Sequence, residues 1–274
     1  MKYINMLQEE GNSACCYHVK DRIHSIKNIL SKEECNLMIG MAESGGFSPS
    51  PPSGGGHGQT PRTGARTSQF FVKDNHNMAR LLWKRLKDYI PKDLRSIKPV
   101  PYMNSQTQGD EFKPIGINEH FRYYKYDPGQ YILKHDDYRM SRFRYEPETD
   151  KYYEQMSFLT VVIYLNDDFN DGKTLFWTKY ATTGTTGHCR FIREVEFAES
   201  DLQITPETGK AVIHDHMVQH EGEKPTKNTK YILRTDIMHE KEVDRNKIEE
   251  KFKKGQIYGE WHKHYEPSCL NYTE

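Results

Sequence analysis

The sequence predicts a mixed α+β, mainly β fold: a double-stranded β-helix, or jelly-roll, core with supporting N-terminal helices. Three observations lead there. From about Asn118, short aromatic and β-branched runs are separated by Asp-Pro-Gly, Asn-Asp-Asp and Glu-Thr-Gly turns, which reads as successive strands. Ahead of them, two stretches carry helix signals in their caps or apolar spacing. The composition, 35% hydrophobic and 12% aromatic with 18 tyrosines, suits a β-rich fold with a polar exterior better than a bundle. Helices that flank a strand-rich block bury their apolar stripes on one of its sheets.

The elements follow in order. Val19, Ile23, Ile26 and Ile29 give the opening segment the apolar character of a first strand. Ser31 and Glu34 form a capping-box pattern that starts a helix, and Gly45-Gly46 closes it. The run FSPSPPSGGGHGQTPRTGAR, residues 47–66, is too rich in Pro, Gly and Ser to bury much surface and predicts a mobile loop. A second helix is expected from about Asn75 to Tyr89, with Met78, Leu81, Leu82, Leu86 and Ile90 at helical spacing and Pro91 at its end. Lys84, Arg85 and Lys87 read as its solvated face. Residues 139–155 read as a charged, Tyr-rich insertion, residues 182–190 as irregular, and Lys241 to Lys254 as an exposed helix. One domain, 1–274, is expected. It divides into N-terminal helical support and a mobile loop (about 1–117), the jelly-roll core (about 118–240) and a C-terminal extension (about 241–274).

The bulk numbers exclude several classes. Lys and Arg number 39 against 39 Asp and Glu, so no net field steers polyanions, and nucleic-acid binding is not indicated. Nothing approaches a membrane span, and the first residues lack the apolar stretch of a secretory signal. Cys15, Cys16, Cys35, Cys189 and Cys269 show neither zinc-site spacing nor a disulfide framework. The expectation is a cytoplasmic or nuclear protein.

The chemistry concentrates in the run KHDDY. Residues two apart on a strand project to the same side, so His135 and Asp137 can grip one metal while Asp136 points away. A second imidazole from a distant strand would complete two His and one carboxylate on one face of an Fe(II) ion, leaving the opposite face open. His214, His216 and His220 are the downstream candidates.

The surrounding runs resemble a known family. FRYYKYDPGQYILKHDDY is similar to the strand pair of the prolyl 4-hydroxylase-like Fe(II)/2-oxoglutarate dioxygenases that carries their Gly-Gln turn and His-x-Asp. SFLTVVIYLNDDFNDGKTLFW resembles their central strand, ITPETGKAVIHDH their "Pro, x, x, Gly, x, Ala" strand, and HEGEKPTKNTKYILRTDIM their terminal strand. These blocks keep the family's order from about Phe121 to Met238, and RTGARTSQFF with the preceding helix extends the likeness loosely back to about Ser31.

The resemblance implies His135, Asp137 and His220 as ligands of Fe(II), with His216 a neighbouring or packing residue and His214 unassigned. It implies 2-oxoglutarate and O2 as cosubstrates, ascorbate as an accessory reductant, and Lys230 as the cation for the far carboxylate of 2-oxoglutarate. By geometry alone Arg234 competes, because it shares the Lys230 face and an Arg fork suits a carboxylate. Tyr126 and Tyr164 stand where the family places phenols that hydrogen-bond the cosubstrate, and Thr174 is a weaker candidate. The activity implied is hydroxylation of a prolyl residue in a peptide or protein, with release of succinate and CO2. The same chemistry on another residue, a small molecule or a nucleobase is the alternative. A silent jelly-roll binding module or a zinc hydrolase would leave the Lys230 strand unexplained. The loop 47–66 and the insertion 139–155 are the expected lids.

Overall fold

The computed structural model describes residues 14–18, 22–50, 65–90, 112–183, 190–191, 199–246 and 250, with the backbone alone for 14–18, 179–183 and 190–191. Two helices are described. The first, α1 (Lys32–Gly45), begins at the capping box read from the sequence: the Ser31 side chain accepts from the Glu34 amide and the Glu34 carboxylate accepts from the Ser31 amide. It ends at Gly46, whose φ of 83° lies in the region a side chain disfavours. The second, α2 (His76–Leu86), is capped by Asn75, whose Oδ1 accepts from the Met78 amide, and a 3-10 turn (Lys87–Tyr89) follows it. Each buries one stripe, Cys35, Met38 and Ala42 on α1 and Ala79, Leu82 and Leu86 on α2.

The described strands are β1 (Ala14–His18), β2 (Ile23–Ile26), β3 (Ser48–Pro49), β4 (Gln69–Asp74), β5 (Lys113–Ile117), β6 (His120–Tyr126), β7 (Ile132–His135), β8 (Ser141–Glu146) and β9 (Lys151–Tyr164). They continue as β10 (Asn170–Asp171), β11 (Thr174–Trp177), β12 (Lys179–Thr183), β13 (Arg190–Phe191), β14 (Leu202–Ile204), β15 (Ala211–Asp215), β16 (Gln219–Gly222), β17 (Pro225–Lys227) and β18 (Lys230–Val243). A large sheet runs β2-β15-β9-β18-β6-β4-β3, with β5 beside β18 and β8 beside β9; a small sheet runs β14-β11-β16-β7. Their pairings are antiparallel.

Alternation along the large sheet separates two layers. Leu159, Val161 and Ile163 of β9, Ala211 and Ile213 of β15, Leu233 of β18, and Phe121 and Tyr123 of β6 pack with the helices. The intervening Val162, Tyr164 and Val212 pack with Phe176 of the small sheet and Val218, and Tyr124 and Tyr126 with Ile132. Two facing antiparallel sheets, with helices on the outer face of one, form the jelly roll the sequence predicts. Among the described residues no helix is long and apolar enough to cross a membrane.

Three expectations are corrected. Residues 141–164 form an ordered hairpin, with Ser141 opposite Met156 through to Glu146 opposite Lys151. Its charges are paired: Arg142 forks onto Glu119, Arg144 bridges Glu146 and Glu240, and Lys151 meets Glu242. Composition suggested a solvated insertion, but alternating strands let opposite charges meet across the ladder. Residues 241–243 continue β18 for the same reason, against the opening of β9, instead of starting a helix. Arg85 is not merely solvated, since it ties α2 to α1 by a two-pronged contact with Glu34 at 2.8 and 2.9 Å and by the Ile29 carbonyl. The sheet also takes in β4, and β2 falls in the segment read as a first strand.

The predicted loop 47–66 is described only at its ends. Ser48–Pro49 pairs with β4, Ala65 accepts from the Leu133 amide, and Arg66 forms a bridge to Ile132; residues 51–64 lie outside the described residues. The same holds for residues 184–189 of the irregular stretch and for most of the segment beyond Asn246.

Candidate metal centre and cosubstrate pocket

β7 and β16 are neighbours in the small sheet, and their register puts His135 directly opposite His220. The two rings pack at a tilt of 48° with centroids 4.3 Å apart. Each Nδ1 lies beside a carbonyl two residues back, Leu133 O at 2.7 Å and Val218 O at 2.9 Å. A carbonyl only accepts, so each Nδ1 carries the proton and each Nε2 presents its lone pair.

Asp137 comes to the same place by a different route from the one strand alternation suggested. β7 ends at His135, and the Asp137 amide instead donates to the His216 carbonyl at 2.8 Å. Thr160 of β9 donates to its Oδ2 at 2.5 Å, and the Arg234 Nη2 stands 3.0 Å from Oδ1. His220 Nε2 lies 3.6 Å from Oδ2 and His135 Nε2 lies 3.9 Å from Oδ1. One donor atom from each of the three residues falls within 4.8 Å of the others. Donors about 2.1 Å from one ion are at most about 4.2 Å apart, so these two spacings fit a shared metal.

The protonation states suit a cation. Burial, with His220 beside it, lowers His135 to about 3, so its lone pair is free at neutral pH. Burial works against ionisation of Asp137, but Arg234 and then the neighbouring imidazoles outweigh it and hold the carboxyl well below its usual range. A neutral His135 imidazole and an ionised Asp137 carboxylate are the forms that bind a cation.

A second group of candidates is buried between β18, β6, β9 and the turn before β11. Lys230 is 2% exposed, and its Nζ donates to the Gly172 carbonyl at 2.6 Å. It sits 5.6 Å from the Tyr126 ring and 5.7 Å from the Tyr164 ring. The Tyr164 hydroxyl shares a 2.6 Å hydrogen bond with Thr174. Burial lowers the Lys230 ammonium to about 7 and pushes the Tyr126 phenol up to about 12, so both phenols remain donors. Arg234 and Lys230 differ in partners: Arg234 meets Asp137 and Asp236, whereas no ion pair within reach of Lys230 exists among the described residues.

The structure therefore brings the six candidates into two groups, His135 with Asp137 and His220, and Lys230 with Tyr126 and Tyr164. It adds residues the sequence reading left aside. Thr160 holds Asp137 and could have been found by counting in twos from Tyr164. Arg66 stacks 4.8 Å over Tyr124 and donates to its hydroxyl at 3.3 Å, at the end of a stretch whose composition gave no sign of it. His214, on β15, places Nε2 3.9 Å from Asp137 Oδ2 and its ring 4.4 Å from that of His220. His216 lies next to a different acid, 3.7 Å from Asp236.

Comparison with known proteins bears on this arrangement. Three similar solved structures have low identity to the chain. A viral collagen prolyl hydroxylase from Paramecium bursaria Chlorella virus-1, in complex with 2OG, is 14% identical over 80% of this chain and 96% of its own, with a TM-score of 0.44. A Pseudomonas putida prolyl-4-hydroxylase is 15% identical over 79% of this chain and 92% of its own, with a TM-score of 0.43. A Trichoplax adhaerens prolyl hydroxylase in complex with a hypoxia inducible factor peptide fragment is 14% identical over 85% of this chain and 86% of its own, with a TM-score of 0.45. No curated protein matches the chain. The family model of the 2OG-Fe(II) oxygenase superfamily matches residues 121–235, a span that opens on β6 and closes within β18, and so contains the triad and Lys230. This segment, under half of the chain, resembles a 2OG-Fe(II) oxygenase domain.

Proposed function

We propose that the chain hydroxylates a prolyl residue in a peptide or protein, consuming 2-oxoglutarate and O2 and releasing succinate and CO2. The observation that carries the reading is the pairing of the His135, Asp137 and His220 donor set with a buried lysine that forms no ion pair among the described residues. The match to the family model supports Fe(II), 2-oxoglutarate and O2 as the cofactor and cosubstrates. The prolyl choice rests on the likeness of the ordered sequence blocks to the prolyl 4-hydroxylase-like enzymes.

In this reading His135, Asp137 and His220 hold Fe(II), and Lys230 takes the far carboxylate of 2-oxoglutarate with help from the Tyr126 and Tyr164 hydroxyls. Bound iron with its cosubstrate supplies the oxidising chemistry that converts a C–H bond to an alcohol. The protein's residues do the rest. The Leu133 and Val218 carbonyls fix both imidazoles, Thr160 and Arg234 fix the carboxylate, and the wall of Tyr124, Tyr126 and Ile132 keeps that side of the site apolar. Arg66, which stacks on Tyr124, is the side chain this reading assigns to a peptide carbonyl.

Incubation with Fe(II), 2-oxoglutarate and a library of proline-containing peptides, followed by mass spectrometry, tests the proposal. Gain of one oxygen on a prolyl residue is expected. Succinate formation coupled to some other acceptor, with every prolyl peptide unmodified, would reject the prolyl assignment and keep the oxygenase.

A further inference from the structure

His214 is fully buried, and its side chain is unused in the account above. Its Nδ1 lies 3.0 Å from the Asp215 carbonyl, so that nitrogen carries the proton and Nε2 presents a lone pair. Among the described residues no atom donates to that Nε2. The other face of the ring is closed by Phe176, edge-on at 5.2 Å. His214 thus repeats the device of His135 and His220: a backbone carbonyl fixes the tautomer, and the free nitrogen is aimed at Asp137.

Two acceptors, His214 Nε2 and Asp137 Oδ2, face each other at 3.9 Å. Thr160 already donates to the carboxylate oxygen, so the acceptor left without a donor among the described residues is the buried His214 Nε2. The cation itself is not the direct partner, because the group whose donor atoms lie within 4.8 Å of one another consists of His135, Asp137 and His220 without His214. A hydrogen-bearing group one atom out from the metal satisfies the lone pair.

We propose that His214 Nε2 accepts a hydrogen bond from a water held on the metal at a position that His135, Asp137 and His220 leave open. This rests on the reading of those three residues as a metal site. His214 is then a positioning residue: it acts through the bound water, holding it in one orientation until cosubstrate displaces it.

Mn(II) is the probe. On the full chain loaded with Mn(II) and no cosubstrate, water relaxation dispersion gives both the number of waters on the ion and their exchange rate. The number is expected to be the same in wild type, His214→Phe and His214→Gln. Exchange should be about fivefold faster in His214→Phe, the effect of losing one hydrogen bond, and slow again in His214→Gln, which keeps an acceptor. An unchanged rate in His214→Phe overturns the proposal. One additional water in that variant also overturns it, in favour of direct ligation.

A measurement on wild type alone covers a variant that fails to fold. With a spin-active cadmium isotope bound and histidine nitrogens labelled, two Nε2 atoms should show one-bond coupling to the metal. Coupling in a third contradicts the proposal. Failure of the ion to bind, or binding that survives His220→Ala and Asp137→Ala, would reject the metal site itself and is seen before any water is counted.

Discussion

Lys230 and Arg234 share one face of β18, yet of the two only Arg234 reaches an acid, with its Nη2 3.0 Å from Oδ1 of Asp137 and 3.4 Å from Oδ1 of Asp236. An ion pair already satisfied by two carboxylates has little to offer a third. A buried ammonium whose hydrogen bond goes to a backbone carbonyl is the group an incoming carboxylate would complete.

Lys230→Ala should therefore raise the 2-oxoglutarate requirement by on the order of a hundredfold, from the roughly 2–5 kcal/mol cost of truncating a buried charge partner. Iron affinity without cosubstrate should hardly change. Arg234→Ala should instead lower thermal stability and iron affinity together, because it leaves Asp137 and Asp236 uncompensated. Titrations of both variants with Fe(II) and with 2-oxoglutarate check this; a selective cosubstrate defect in Arg234→Ala would reverse the assignment.

The same lysine makes a pH dependence. Burial holds it to about 7 in the folded protein, whereas an unfolded lysine titrates near 10.4. Between those values the unfolded chain binds more protons, so cosubstrate-free stability should rise with pH through that window. Binding a dianion needs the ammonium form. The dissociation constant of 2-oxoglutarate should accordingly weaken above pH 7, approaching about tenfold per unit. Calorimetric titration across pH 6 to 9 measures it, and proton uptake on binding should appear at the upper end. A flat profile would mean the lysine is already charged.

Thr160 touches Asp137 and no proposed substrate atom. Thr160→Val keeps the shape and removes the hydrogen bond to Oδ2, so metal affinity should fall by about tenfold to a hundredfold, the usual scale for an outer-sphere partner. Fe(II) or Co(II) titration shows it, with the circular dichroism spectrum unchanged.

Leu82 packs fully buried between α2 and the sheet. Leu82→Ala should destabilise the fold by about 2–5 kcal/mol with the metal affinity of the folded protein retained, since the helices lie on the face of the sheet opposite the triad. Chemical denaturation and metal titration on the same sample separate the two effects.

Much of this arrangement was legible from local patterns. The Ser31–Glu34 capping box and the Asn75 start are short-range hydrogen-bond chemistry, and both are found where the residues suggested. Alternation put His135 and Asp137 on one side, and the structure agrees, although the Asp137 amide is held by His216 in place of a ladder partner. What sequence could not show was partnership at a distance. The charges of 139–155 look solvated until Glu119 and Glu240 are placed opposite them, and Arg85 looks like a surface residue until α1 brings Glu34 to it. His214 had no assignment because nothing in a linear reading says that β15 aims it at Asp137. Arg66 closes a segment of Pro and Gly whose composition describes a loop but not where the loop lands.

The central claim is that His135, Asp137 and His220 hold an iron that takes 2-oxoglutarate beside Lys230. Anaerobic titration of the chain with Fe(II) and then 2-oxoglutarate, followed by visible absorption, tests it most directly. A weak metal-to-ligand charge-transfer band should appear only when both are present. It should vanish in His135→Ala, Asp137→Ala and His220→Ala at concentrations that saturate wild type, and return in Lys230→Ala only at much higher 2-oxoglutarate. Iron that binds with no band, or a band that survives His220→Ala and is lost in His216→Ala, would contradict the account.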